Sequence, residues 1–168
     1  MKTFYFVLIN TLIASVTTNF LWFALTFWVY LETKSVLATS IIAGIYLVIT
    51  ALSGFWLGGI VDHHKKKNAM LVSSAVTLGF FTLGLLIYVI SPSGSFTTVT
   101  NPLFWILTTV LLLGVIAANV RNIALPTLVT ILVPEKMRDK ANGMSGTVMG
   151  LSFAICAVFS GVALAYTG

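Results

Sequence analysis

The stretch GGIVDHHKKKNAM, from Gly58 to Met70, puts one acid, two histidines and three lysines into a chain that otherwise avoids charge. It is a metal site, a nucleic-acid patch, or the wet end of something apolar, and composition decides which. Of 168 residues, 58% are hydrophobic and 8% charged, and mean hydropathy is +1.05. A soluble domain is about 25% charged, and no soluble fold of this size has the interior to hide so much apolar surface. The solvent is lipid. The single cysteine, Cys156, lies in an apolar run, which excludes a disulfide framework and a cysteine-based metal site.

Working outward from that stretch, the charge-free intervals count the spans. About 20 residues at 1.5 Å rise cross a hydrocarbon layer of about 30 Å. No charge stands between Lys2 and Glu32, so the first segment is Phe4 to Tyr30, too long for a signal-peptide core. The second is Val36 to Val61. The third is Ala69 to Ile90, with Asn68 as its expected N-cap. The turn-forming run SPSGSFTTVTN, Ser91 to Asn101, follows. The fourth segment runs from Pro102 to Val133, and VPEKMRDKANG breaks it at Pro134. The fifth is Ala141 to Tyr166. The expected fold is an all-α polytopic membrane protein, one domain of five transmembrane helices over 1–168.

Basic residues in the short loops set orientation. With the N-terminus cytoplasmic, Lys2, Lys65, Lys66, Lys67, Lys136, Arg138 and Lys140 lie inside and Lys34 alone lies outside. Trp28 and Tyr30 then fall where an outer aromatic belt would be. The opening stretch becomes a cytoplasmic turn of about seven residues between the second and third helices. His63 and His64 diverge on a helix and have no further ligand cluster, so metal is not expected. The three lysines read as a topology signal and a headgroup contact. Asp62 is out of place, because the macrodipole at a helix C-terminus disfavours a carboxylate; it needs a cationic partner or another helix's N-terminus.

Gly58, Asp62, Lys66 and Lys67 together resemble the helix two–three signature of the major facilitator superfamily: a glycine, three residues, an aspartate, then a basic cluster. His63 and Lys65 depart from its widest form in a way that resembles the macrolide-efflux branch of drug–proton antiporters. FWVYLETKSVLATS, Phe27 to Ser40, and RNIALPTLVTILVPEKMRDKANGM, Arg121 to Met144, resemble that branch in the same order. The resemblance implies the N-terminal five helices of a six-helix half, in a twelve-helix fold that works by alternating access. It implies a bacterial plasma membrane, multidrug-type antiport of amphipathic small molecules, a proton gradient as partner, and a second half supplied in cis or in trans. Cys156 and Ala157 stand where the antiporter pattern has a small residue and a proline.

Arg121 is the leading candidate for coupling or substrate handling, since a charge at membrane depth costs about 2.5–3.5 kcal/mol or more; snorkelling to cytoplasmic headgroups is the alternative. Thr11, Ser15, Thr18, Trp22 and Thr26 recur at spacings of 4, 3, 4 and 4 on one helix face. They line a substrate cavity or pack helices, and Asn19 and Asn119 are weaker cavity candidates. Gly54 with Gly58, and Gly146 with Gly150, form G-x-x-x-G pairs expected to bring helices close. No nucleophile triad, phosphate loop or metal cluster points to an enzyme or a cofactor, and the basic residues are placed for lipid, not nucleic acid. The rival from another class is a small polytopic interaction subunit, or a non-transporting relic.

Overall fold

The computed structural model describes residues 2–92 and 94–167; Met1, Ser93 in the expected loop, and Gly168 of the terminal Tyr-Thr-Gly lie outside the described residues. Five helices follow one another: α1 (Lys2–Thr33), α2 (Val36–His63), α3 (Lys66–Ile90), α4 (Pro102–Leu132) and α5 (Arg138–Thr167). A single 3₁₀ turn, Glu135–Met137, precedes α5. All five are long and apolar enough to cross a membrane, and among the described residues there is no strand. The chain is an all-α polytopic membrane protein.

Local chemistry sets most boundaries. Ser35 caps α2, its Oγ accepting from the Ala38 N–H at 3.1 Å. Asn101 caps α4, its Oδ1 accepting from the Leu103 N–H at 3.0 Å with Pro102 in the first turn. Lys34 turns the corner between α1 and α2 with φ of 51°, and its N–H closes on the Tyr30 carbonyl at 2.8 Å. Asn68 does not cap α3. The helix starts at Lys66, and the cap position is held by Lys65 without a side-chain bond. Only His64 and Lys65 separate α2 from α3, so the turn is two residues long, not seven. A basic side chain explains the early start: Lys66 reaches back over the turn to the last carbonyls of α2.

Packing radiates from α4. It buries eleven residues, whereas α2 buries three, and its strongest neighbour is α3, while α1 pairs with α5. Ser73 donates to the Ala117 carbonyl at 2.7 Å and Thr77 to the Gly114 carbonyl at 3.2 Å, joining α3 to α4. Across the other pair, Asn19 donates to Ser152 Oγ at 3.2 Å and the Cys156 thiol faces the Val16 carbonyl at 3.2 Å. Such interhelical bonds contribute roughly 0.6 kcal/mol each in lipid.

Three apolar clusters are strung along the bundle. At the loop end Leu25, Val29, Ile42, Phe96, Phe104 and Leu107 pack together. At the basic end one cluster joins Phe4, Leu8, Val129, Val133 and Ala141, and another joins Val61, Ala69, Val120 and Ala124. Trp28 belongs to the loop-end core rather than an outer belt. Its ring meets Phe96 edge-on at 5.6 Å and stacks on Phe104 at 6.3 Å, because Phe96 folds down from the α3–α4 loop to cover it.

The glycine pairs do not pack helices within this chain. A Cβ built on Gly54, Gly58, Gly146 or Gly150 meets nothing within 4 Å. The close approaches occur elsewhere, at Gly84 beside Leu111 and at Gly114 beside Phe81. The α3–α4 contact is the tightest, and there the small residues are required by ring and branched side chains opposite. Around this core the surface is apolar, with Phe55 and Trp56 of α2 85% and 76% exposed.

Candidate functional site

Between the loop-end and basic-end clusters the bundle opens into a cavity of about 440 Å³ walled by all five helices. α1 contributes Ala14, Ser15, Thr17, Thr18 and Asn19, α2 contributes Tyr46, and α3 contributes Ser73, Ser74, Thr77 and Phe81. α4 supplies Asn119, Arg121 and Asn122, and α5 supplies Met149, Ser152 and Phe153. One cation faces it, several hydroxyls and amides surround that cation, and no carboxylate lines it. The four acids of the chain, Glu32, Asp62, Glu135 and Asp139, all stand at helix ends.

Arg121 lines this space and bridges α4 to two other helices. One guanidinium nitrogen, Nη1, donates to Asn10 Oδ1 of α1, and Nη2 donates to Ser74 Oγ of α3 at 2.8 Å. Asn10 and Ser74 each lie eight residues from the start of their helices, about 12 Å along the axis. Arg121 lies eleven residues before the end of α4, about 16 Å. Both partners thus stand about 4 Å nearer the basic end than Arg121, and the cation is held across three helices. Beside it Asn119 Oδ1 accepts from Asn122 Nδ2 at 3.1 Å, while Asn119 Nδ2 is sealed without a hydrogen-bond partner. One turn further on, Pro126 sits inside α4 and offers no N–H to the Asn122 carbonyl.

The α1 stripe divides. Ser15 and Thr18 line the cavity, with the Thr18 hydroxyl bonded back to the Ala14 carbonyl at 3.0 Å. Thr11, Trp22 and Thr26 do not line it. Thr11 is fully buried with its hydroxyl unpaired. Trp22 stacks on Tyr46 at 3.9 Å, and Thr26 donates to the Trp22 carbonyl at 2.9 Å. The reason is height along the helix: at 100° per residue all five point within about 80° of one another, and the cavity meets α1 only between Ala14 and Asn19. Asn10, Ser73, Ser74, Thr77, Asn122 and Ser152 were not anticipated from sequence. The spacing test applied to α1 would have found Ser73 and Thr77 in α3, and Ser145, Ser152, Cys156 and Ser160 in α5.

Gly58, Asp62, Lys66 and Lys67 sit apart from this cavity, at the α2–α3 turn. Asp62 is not left unpaired: Lys66 Nζ lies 3.5 Å from its Oδ1, although the carboxylate side chain is 73% exposed. The stronger contacts of Lys66 are to backbone, at 2.5 Å to the Val61 carbonyl and 3.4 Å to that of Asp62. The ammonium thus neutralises the C-terminal end of α2. Arg138 does the same for α4, donating to the Val133 carbonyl at 3.3 Å and the Thr130 carbonyl at 3.0 Å. Lys67 is exposed, and His64 Nδ1 lies 3.0 Å from the Ile60 carbonyl.

Five membrane-length helices, a basic turn after the second, and a polar cavity at mid-depth are the features of a membrane transporter. No individual curated relative and no solved structure matches the chain. The family model of the Major Facilitator Superfamily, a family of transporters, does match it, over residues 7–168, and on that match the chain belongs to this superfamily.

Proposed function

We propose that the chain supplies the N-terminal five helices of a secondary active transporter of the efflux type, which moves amphipathic small molecules outward by alternating access, driven by a proton gradient. It works in a bacterial plasma membrane with its N-terminus cytoplasmic, since the basic residues crowd one end of the bundle. The observation that carries this reading is Arg121, held by Asn10 and Ser74 about a third of the way in from the basic end, on the wall of a five-helix cavity. An arginine so placed contacts a substrate or the coupling proton's acceptor, and neither role needs it to reach headgroups. Gly58, Asp62, Lys66 and Lys67 form the gate at the cytoplasmic turn, with Asp62 exposed toward a second half.

The test is flux in inverted vesicles from cells expressing the full reading frame, with neutral, anionic and cationic xanthene dyes. Uncoupler-sensitive accumulation is expected for at least one dye. Arg121→Ala should abolish it while leaving the membrane level of the protein unchanged; unaltered flux in that variant would remove the assigned role. The second reading, an interaction subunit, draws on the unpacked faces at Gly54, Gly58, Gly146 and Gly150. It predicts no gradient-driven flux of any dye.

A further inference from the structure

Taking the Arg121 cavity as the transport site, we infer that it selects amphipathic anions, with the anionic head on Arg121 and the apolar body directed past Phe81. The charge count of the cavity is the first ground. A guanidinium carries five N–H donors, and two side-chain bonds, to Asn10 and Ser74, are recorded for Arg121 among the described residues. The one ion pair among the described residues is Lys66 with Asp62, far down the bundle. A partly desolvated cation without a carboxylate attracts an anion and repels an ammonium group. The planar fork of Arg121 suits a carboxylate, sulfonate or phosphate in two-pronged contact.

The second ground is a neighbouring apolar groove. It is open, of about 320 Å³, and lies toward the loop end, lined by Leu21, Leu25, Trp28, Leu85, Leu107 and Leu111 among others. Its wall is almost wholly apolar, and Phe81 lines both the cavity and the groove. One ring therefore borders both the polar space that holds a cation and the apolar one. A molecule spanning the two needs a charged head and an apolar body, in that order along the bundle axis.

The experiment is equilibrium dialysis of the full chain in nanodiscs against carboxyfluorescein and rhodamine 123, which share a xanthene core and differ in charge, with empty nanodiscs subtracted. Carboxyfluorescein should bind at least tenfold more tightly. Arg121→Ala should remove that preference, and Arg121→Lys should retain most of it. Should Arg121→Ala fail to fold, the wild-type comparison and the lysine variant still decide. Equal or tighter binding of rhodamine 123, no binding of either dye, or a preference indifferent to Arg121 overturns the inference. Nanodiscs with and without phosphatidylglycerol identify the source of the anion. Competition by that lipid supports a lipid headgroup in the site, and its absence supports a soluble anion. Gradient-driven flux of rhodamine 123 insensitive to Arg121→Ala would sink this inference and leave transport standing. Arg121-dependent carboxyfluorescein binding without flux of any dye would do the reverse.

Discussion

A methyl group added at Gly114 would stand 2.6 Å from Phe81 Cε1, 2.7 Å from its Cδ1 and 3.1 Å from Phe80 Cβ. A ring cannot fold away like a flexible chain end, so Phe81 must move, and it lines both the polar cavity and the apolar groove. At Gly84 the corresponding clash is with Leu111 Cδ2 at 2.6 Å, the far end of a side chain with other rotamers. Gly114→Ala should therefore cost about 1–3 kcal/mol of overpacking and change dye affinity several-fold. Gly84→Ala should stay within about 1 kcal/mol of wild type, because the alanine's helix propensity offsets the adjustment. Thermal unfolding in detergent and dialysis binding read both; equal effects would count against Phe81 as a wall shared by the two. Arg121 was legible in sequence because a lone charge inside an apolar run has few explanations. Ser73, Ser74 and Ser152 were not, because a hydroxyl in a lipid-embedded helix can satisfy itself on its own backbone. Ser152 does so as donor, to the Met149 carbonyl at 2.9 Å, and also accepts from Asn19. Residue type does not say which hydroxyls face a cavity; only the neighbouring helix does.

At the scale of the helix, a lysine and an arginine of the turns cap helix ends. Lys66 closes the end of α2 and Arg138 the end of α4, each on carbonyls that the helix leaves without donors. Lys66→Met and Arg138→Met should each lower stability by about 0.5–1.5 kcal/mol, whereas Lys67→Met, at an exposed position in the same run, should be near neutral. Thermal shifts of the purified variants at low salt measure this, and equal losses at Lys66 and Lys67 would show that charge count, not capping, matters. The five helices were legible because charge-free intervals of this length have one physical reading. Their ends were less so. Asn68 carries the chemistry of an N-cap, yet the two-residue turn leaves Lys66 near enough to cap the preceding helix, and α3 starts there. Contact between consecutive helices overrode local preference.

Over the whole molecule, the same five helices wall a polar cavity and leave much of their apolar surface uncovered. The glycine faces of α2 and α5 illustrate this: their spacing predicts close helix contact, and nothing among the described residues meets them. The spacing puts each pair on one helix face, but the close packing expected of it is not made among the described residues. Alternating access needs two bodies that rock about a shared site, so that closing one mouth opens the other. Within this bundle α4 anchors α3 on one side, and α1 pairs with α5 on the other. Trp28 and Phe96 lock the loop end, and the Phe4, Val129 and Ala141 cluster locks the basic end. Such an arrangement is one rocking body, not two. Residues 1–168 expressed alone and reconstituted in liposomes should therefore bind carboxyfluorescein with the Arg121 dependence described above and show no uncoupler-sensitive flux. Flux from the five helices alone would mean that the pairs α3–α4 and α1–α5 move against each other. In that case a cross-link between α1 and α5 placed outside the cavity should spare transport, and one between α1 and α3 placed outside it should stop it.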